Sequence, residues 1–261
     1  MQLLYRHRAD PAADAAGAAG TRLGEADLRE LYAWPTDDRP WLRANMVASV
    51  DGMARGTDGR SGSMSGQADK LVFAMLRQTA DAVLVGSGTA VAEDYGPVSV
   101  RAAWAPWRAE AGQAPAPQIV VVTNSARMDP SARLFGGPRG SVLVVAGRDA
   151  DPARVAALRA VAEVVTVATP RVDARGLPGL LAERGLRRVL TEGGPTLLGE
   201  LAGMLDDLCL TTAPLLLGGA QPGRPAPDLL GGAQLPGDRR AAALEHLIHA
   251  EGALLGRWRL S

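Results

Sequence analysis

The sequence predicts an α/β fold: a central, mostly parallel sheet with helices on both faces and an antiparallel edge hairpin at the C-terminal end. Three observations carry this. Short, nearly continuous apolar runs recur, as at Ala82–Val85, Gln118–Val122 and Val142–Ala146, and strands apolar on both sides are those that a sheet buries on both faces. Segments with helical spacing of apolar residues lie between such runs, so strand and helix alternate. The tail instead holds two strand-like runs about Gly252, which is a hairpin pattern.

Taken in order, residues 1–40 read as an N-terminal extension packing on the body, and residues 41–261 as one domain. Residues 9–20 are rich in Ala, Gly, Asp and Pro and read as a flexible loop. Ala26 to Tyr32 reads as a short helix stopped by Trp34-Pro35. Trp41 to Val47 is a strand. Gly52 to Gly66, dense in Gly and Ser, is a long loop of the kind often used for function. Ala68 to Thr79 places Leu71, Val72, Met75 and Leu76 at a helical period. Further strands are predicted at Val164–Val167, Arg188–Leu190 and Leu208–Thr212, and helices at Pro152–Ala160 and Leu177–Glu183. Ala102 to Pro117 and Gly218 to Asp238, both punctuated by Pro, read as exposed loops. Ala243–Ile248 and Leu254–Leu260 form the hairpin.

Composition excludes several classes of function. Net charge is zero over 261 residues, which argues against nucleic acid and against an acidic membrane surface. No apolar run approaches the roughly 18 residues of a membrane span. The first residues lack the apolar centre of a secretory signal, so a reducing cytoplasm is expected. The single cysteine, Cys209, lies in an apolar run and has no second thiol for a structural zinc site. The three histidines, His7, His246 and His249, form no nucleophile triad. Lys70 is the only lysine, so Schiff-base chemistry would have to use a residue inside a predicted helix.

Four motifs sit at predicted strand ends. Asp51-Gly52 closes the first strand; a carboxylate there can steer a proton, while Asp-Gly is also an ordinary turn. Gly86-Ser87-Gly88-Thr89 follows a buried strand and can turn N–H groups toward a pyrophosphate. It lacks the spacing of a dinucleotide fingerprint and of a Walker loop, and a plain strand-to-helix turn fits it equally. Thr123-Asn124-Ser125-Ala126-Arg127 suits an adenosine 2′-phosphate through its hydroxyls and guanidinium, and also suits a polar loop. Thr191-Glu192-Gly193-Gly194-Pro195-Thr196-Leu197 is the most informative. Paired glycines admit close ligand approach, Pro195 suits a first helical turn, and Glu192 lies at a strand's carboxyl end, where open α/β sheets bind ligands.

The order of these segments, from Asn45 through Ser49-Val50-Asp51-Gly52, Leu76-Arg77, Gly86 to Thr89 and Glu192-Gly193-Gly194-Pro195-Thr196, resembles the pyrimidine reductase family of riboflavin biosynthesis. The resemblance runs from about Trp41 to the C-terminus. It implies a dihydrofolate reductase-like fold, NADPH as cofactor, a homodimer, and reduction of 5-amino-6-(5-phosphoribosylamino)uracil to the ribitylamino compound. By motif match, Ser63, Gly86, Gly88, Thr89, Glu93, Asn124, Ser125, Gly193, Gly194, Pro195, Thr196 and Leu197 face the cofactor. Asn45, Ser61, Arg77, Arg101 and Glu192 face the substrate and its phosphate, and Asp51 and Glu192 lie at the reacting centre. The chain departs from the family in having Asn45 where Lys is frequent, Ser63 for an aromatic residue, Glu93 for Asp, and about one extra residue after Glu93, which loosens the match at Arg101. The zinc signature of the deaminase partner is absent, so a stand-alone reductase is expected. The rival reading keeps fold and cofactor but takes dihydrofolate or another pterin, with Asp51 gripping its aminopyrimidine edge.

Overall fold

The computed structural model describes residues 1–7, 20–218, 228–235, 237 and 239–261. Its strands are β1 Gln2–Arg6, β2 Trp41–Ser49, β3 Ala82–Gly86, β4 Gln118–Thr123, β5 Val142–Ala146, β6 Glu163–Thr166, β7 Arg188–Thr191, β8 Asp207–Ala213, β9 Ala242–Ala250 and β10 Ala253–Leu260. The helices are α1 Glu25–Leu31, α2 Gln67–Thr79, α3 Ser87–Ala92, α4 Ala105–Glu110, α5 Pro152–Arg159, α6 Leu177–Ala182 and α7 Pro195–Leu201.

One ten-stranded sheet runs in the order β1-β9-β10-β8-β2-β7-β3-β4-β5-β6. From β8 to β6 every pairing is parallel, and the β9–β10 hairpin joins β8 antiparallel. The chain runs outward from β3 to β6 and then returns to place β7 between β2 and β3. Such a reversal opens a crevice beyond the strand ends. It also sets Glu192, the residue after β7, between the tips of two strands that are distant in sequence.

Alternation along the buried strands divides the core. Leu42, Ala44, Leu84, Val120 and Leu143 pack under α6 and α7 with Leu177, Leu181, Leu198 and Leu201. The opposite faces carry Val85, Ile119, Val121 and Val144 against Val155 and Leu158 of α5. The α1 residues Leu28 and Leu31 and the α2 residues Val72, Met75 and Leu76 share a third cluster with Leu3, Cys209, Ile248 and Leu255. Central strands without polar positions leave no solvent face, which is why their apolar runs were readable.

Two expectations change. Residues 102–117 are not simply an exposed loop: they contain α4, and Trp104 is buried in the core cluster with α1 and α2. Trp104 stacks on Trp107 and donates its indole N–H to Glu25. The N-terminal residues supply β1, which pairs with β9 outside the hairpin. The loop expected at residues 9–20 falls almost wholly outside the described residues, as does most of 218–238.

A buried charge cluster fixes α1 to the sheet. Asp207, at the start of β8 and fully buried, accepts hydrogen bonds from Arg43, Arg257 and the Trp41 indole, and pairs with Arg259. Arg43 and Arg257 also donate to the carbonyls of Leu31, Tyr32 and Ala33. These carbonyls end α1, where the helix lacks internal donors and carries negative partial charge. Among the described residues no helix is long and apolar enough to cross a membrane, and no group of His, Cys, Asp and Glu is arranged to hold a metal.

Candidate active site

Parallel strands carry their following turns at one edge of the sheet, and the predicted motifs meet there. The Gly86 N–H donates to the Gly193 carbonyl at 2.7 Å, so the turn after β3 and the turn after β7 are joined directly. Gly193 has φ +76°, in the left-handed region that favours glycine. The Gly193–Gly194 peptide is cis. A Cβ on Gly194 would lie 2.3 Å from the Thr89 hydroxyl oxygen, so the Thr89 side chain holds its present place only because residue 194 is glycine. Above Gly88 the space is open, with no atom within 4 Å of a built Cβ.

A cleft of about 270 Å³ opens beside these turns. Its walls include Asn45, Ser61, Arg77, Thr89, Glu93 and Glu192, six of the residues that the motif match singles out. Asn45 comes from β2, Arg77 from α2, Thr89 from α3 and Glu192 from the end of β7. Four separate segments therefore converge on one space.

Glu192 dominates the floor. Its carboxylate receives two hydrogen bonds from Arg77, Nε to Oε1 at 2.7 Å and Nη2 to Oε2 at 2.6 Å, and a third from the Tyr95 hydroxyl at 2.5 Å. Two parallel charge-assisted bonds fix orientation as well as charge. The guanidinium also lies between the rings of Phe73 and Tyr95, at 4.1 and 4.7 Å, a favourable cation–π setting. Burial works against the charge on Arg77, but the Glu192 carboxylate outweighs it and holds the guanidinium above its ordinary pKa. Burial, reinforced by Glu192, pushes the Tyr95 phenol well above its usual value, so it stays neutral and donates. Arg77 is thus committed to Glu192.

Other predicted residues lie nearby in different roles. Glu93 accepts the Ser61 N–H at 2.8 Å and the Ser61 hydroxyl at 3.0 Å, which ties the Gly/Ser-rich loop to the end of α3. Ser63 turns to Asp58 and the Arg60 carbonyl within that loop. Asp51 accepts from Ser49 and from the N–H groups of Leu217 and Gly218. The Ser49 hydrogen bond, helped by the backbone ones, holds the Asp51 carboxyl below its ordinary range. Asp51 therefore spans two loops at the sheet edge and does not line the cleft.

Asn124 and Ser125 follow β4, the neighbour of β3, on the same edge. Asn124 accepts the Val172 N–H at 2.8 Å, joining the turns after β4 and β6. Pro195 and Thr196 open α7, while the Leu197 side chain is buried in the core, leaving its main chain to face the edge. Arg101 lies outside the cleft: its guanidinium pairs with Glu25 at 2.9 Å and rests over Trp104 at 4.8 Å.

The cleft also contains residues that the motifs did not mark, notably Asp69, Lys70, Phe73, Tyr95 and Arg133. Phe73 had a weak signal, since it stands one helical turn before Arg77. Tyr95 and Arg133 had none, because their partners are distant in sequence.

The sequence profile of the RibD C-terminal domain matches residues 40–236. Among its relatives, a 2,5-diamino-6-ribosylamino-4(3H)-pyrimidinone 5′-phosphate reductase from Methanothermobacter thermautotrophicus is 34% identical over 183 residues, covering 69% of this chain and 81% of the relative. The enzyme of the same name from Archaeoglobus fulgidus is 31% identical over 183 residues, covering 69% of this chain and 83% of the relative. Among solved structures, a pyrimidine reductase-like protein from Corynebacterium diphtheriae superposes with a TM-score of 0.76 at 27% identity, covering 90% of this chain and 98% of the other.

Proposed function

The chain belongs to the RibD C-terminal domain family of riboflavin-pathway pyrimidine reductases, and we propose that it uses NADPH to reduce 5-amino-6-(5-phosphoribosylamino)uracil to its ribitylamino product. The observation that carries this reading is the joining of the Gly86 and Gly193 turns directly beside the Glu192–Arg77 cleft. A reductase of this fold needs a seat for a nicotinamide dinucleotide and, next to it, a polar floor for a heterocycle.

The residues present suit the cofactor. The open space above Gly88 and the close contact of Gly194 with Thr89 leave main-chain groups, rather than side chains, to meet a pyrophosphate, and the first N–H groups of a helix have no internal acceptor. Asn124 and Ser125, two strands from Glu192 on the same edge, are assigned to the adenosine end. When bound, the dinucleotide supplies the hydride. The protein contributes position and charge, and reacting atoms held about 3–3.5 Å apart gain most of the available advantage.

For the substrate, Glu192 provides a fixed acceptor for ring N–H and amino groups, because Arg77 and Tyr95 already occupy its other lone pairs. Asn45, buried in the cleft wall, offers both a donor and an acceptor to ring carbonyls and amines. Ser61, held by Glu93, reaches the sugar side. Asp51 has a positioning part through the loop at Leu217 and Gly218. A homodimer is proposed with the reductase; Val50, Leu215 and Leu216, exposed together at the sheet edge, offer apolar surface for it.

The test is NADPH oxidation with the uracil substrate and, in parallel, with the 2,5-diaminopyrimidinone phosphate named for the archaeal relatives. Turnover of either at a rate above that with dihydrofolate is the expected result. Failure with both rejects the reading. Equal rates with NADH would remove the NADPH preference, and sedimentation as a monomer would remove the dimer.

A further inference from the structure

A phosphorylated sugar brings a dianion into the cleft, and of the two arginines that the motifs suggest for it, Arg77 is held by Glu192 and Arg101 lies outside the cleft. Both inner nitrogens of Arg77 that face Glu192 are bonded to its carboxylate. Arg101 points away, onto Glu25 and Trp104. Two other cations line the same cleft, Lys70 and Arg133. Lys70 lies on α2 two helical turns before Arg77, which puts both on one face of the helix. It is exposed, and its ammonium makes no hydrogen bond or ion pair among the described residues. Arg133 comes from the turn after β4 and reaches the cleft beside Gly96.

We propose that Lys70 and Arg133 together seat the phosphate of the sugar-phosphate substrate, leaving Arg77 to orient Glu192. The proposal rests on the reductase reading for the identity of the substrate. Of the acids around this seat, Glu192 is neutralised by Arg77 and Glu93 is engaged by Ser61. Asp69 lies beside Lys70 in the cleft wall, and Arg133 pairs with the Asp94 carboxylate at 3.2 Å while donating to the Asp94 carbonyl. The carboxylate contact is largely exposed on both sides, and such contacts are weak, so a phosphate can take the place of the Asp94 carboxylate while the carbonyl bond holds the guanidinium at the mouth. A dianion with three acceptor oxygens is a stronger partner for a guanidinium than one carboxylate in water. The phosphate therefore takes the outer mouth of the cleft, and the heterocycle lies inward on Glu192.

The test compares the phosphorylated substrate with the same ribosylaminopyrimidine lacking its phosphate. In Lys70→Ala and in Arg133→Ala, KM for the phosphorylated form is expected to rise about tenfold, and in the double variant about a hundredfold. KM for the unphosphorylated form and Kd for NADPH are expected to stay at wild-type values, and Lys70→Arg is expected to recover most of the loss. Calorimetric binding of ribose 5-phosphate gives an independent arm that needs no turnover: wild type binds it and the double variant does not. Wild-type KM in both single variants overturns the proposal. So does an equal rise for both substrates, a change confined to NADPH, or a phosphate-specific loss in Arg101→Ala alone. If wild type turns over neither substrate yet binds ribose 5-phosphate through Lys70 and Arg133, the reductase reading fails and the phosphate seat stands.

Discussion

Arg77 and Glu192 meet in a two-point ion pair across 115 residues of sequence, at 2.7 and 2.6 Å. The carboxylate is almost fully buried and the guanidinium mostly so. The pair fixes a polar floor beside the joined Gly86 and Gly193 turns, and the neutral Tyr95 hydroxyl completes it.

Removing one member of a buried pair leaves the other charge without compensation. Arg77→Leu is expected to lower stability by about 3 kcal/mol and to reduce kcat/KM by at least about a hundredfold. Tyr95→Phe, which removes one hydrogen bond and keeps the ring, is expected to cost only about 1 kcal/mol. Urea unfolding and steady-state turnover on both variants check this. Equal losses in the two would mean that the charge pair has no special weight.

Gly194 and Gly88 provide a steric contrast. Gly194→Ala would place its methyl 2.3 Å from the Thr89 hydroxyl, so the Thr89 side chain must turn away from the position it holds between the two turns. Gly88→Ala meets no protein atom and blocks only what binds above it. Both are expected to weaken NADPH binding by about tenfold or more. Gly194→Ala alone should also lower the melting temperature. Fluorescence titration with NADPH and thermal scans separate the two, and undiminished affinity in Gly88→Ala would remove the cofactor from that turn.

Asp207 holds three arginines and the end of α1. Burial works against its charge, but Arg43 and Arg257 outweigh this and hold its carboxyl below the ordinary range. Asp207→Asn is expected to destabilise the fold by about 3–5 kcal/mol, because Arg43 stays fully buried without its counter-charge. Hydrogen exchange should show α1 and β1 opening first. An intact α1 in the variant would mean that the apolar contacts of Leu28 and Leu31 suffice.

His246 gives a pH dependence with a defined sign. Burial, then Arg257 and Arg43, lower its pKa from 6.5 to about 3. The unfolded chain therefore binds a proton between those values while the folded chain does not, and stability in that window rises with pH. The His246 contribution is present above pH 6.5 and is lost progressively as pH falls toward 3. His246→Phe, which keeps an aromatic edge against Tyr32, is expected to flatten the stability profile between about pH 6 and 4. An unchanged slope there would assign the acid sensitivity to the carboxylates.

The positions of the parallel strands were legible because burial on both faces demands unbroken apolar runs, and Val142–Ala146 reads the same in sequence and structure. The glycine turn after β7 was legible because the left-handed conformation of Gly193 and the close approach of Gly194 to Thr89 favour glycine, and the turn after β3 because Gly86 and Gly88 follow directly on a buried apolar strand. α4 was obscured by the proline and alanine content of 102–117, and only the burial of Trp104 against α1 shows that this segment is ordered. β1 was obscured because a short strand takes its definition from its partner, here β9 at the far end of the chain.

By itself the sequence determined the α/β class, the order of the turns and the residue types gathered at the sheet edge, since periodicity and glycine placement are local properties. The tertiary structure decided which charge meets which. Arg77 was equally free, as a residue in a helix, to hold a phosphate or a carboxylate, and only the return of β7 between β2 and β3 brings Glu192 within its reach. Arg101 was claimed by Glu25 and Trp104, while Arg133 arrived from beyond β4. Long-range ion pairing depends on distances between segments, and the chain topology sets those distances.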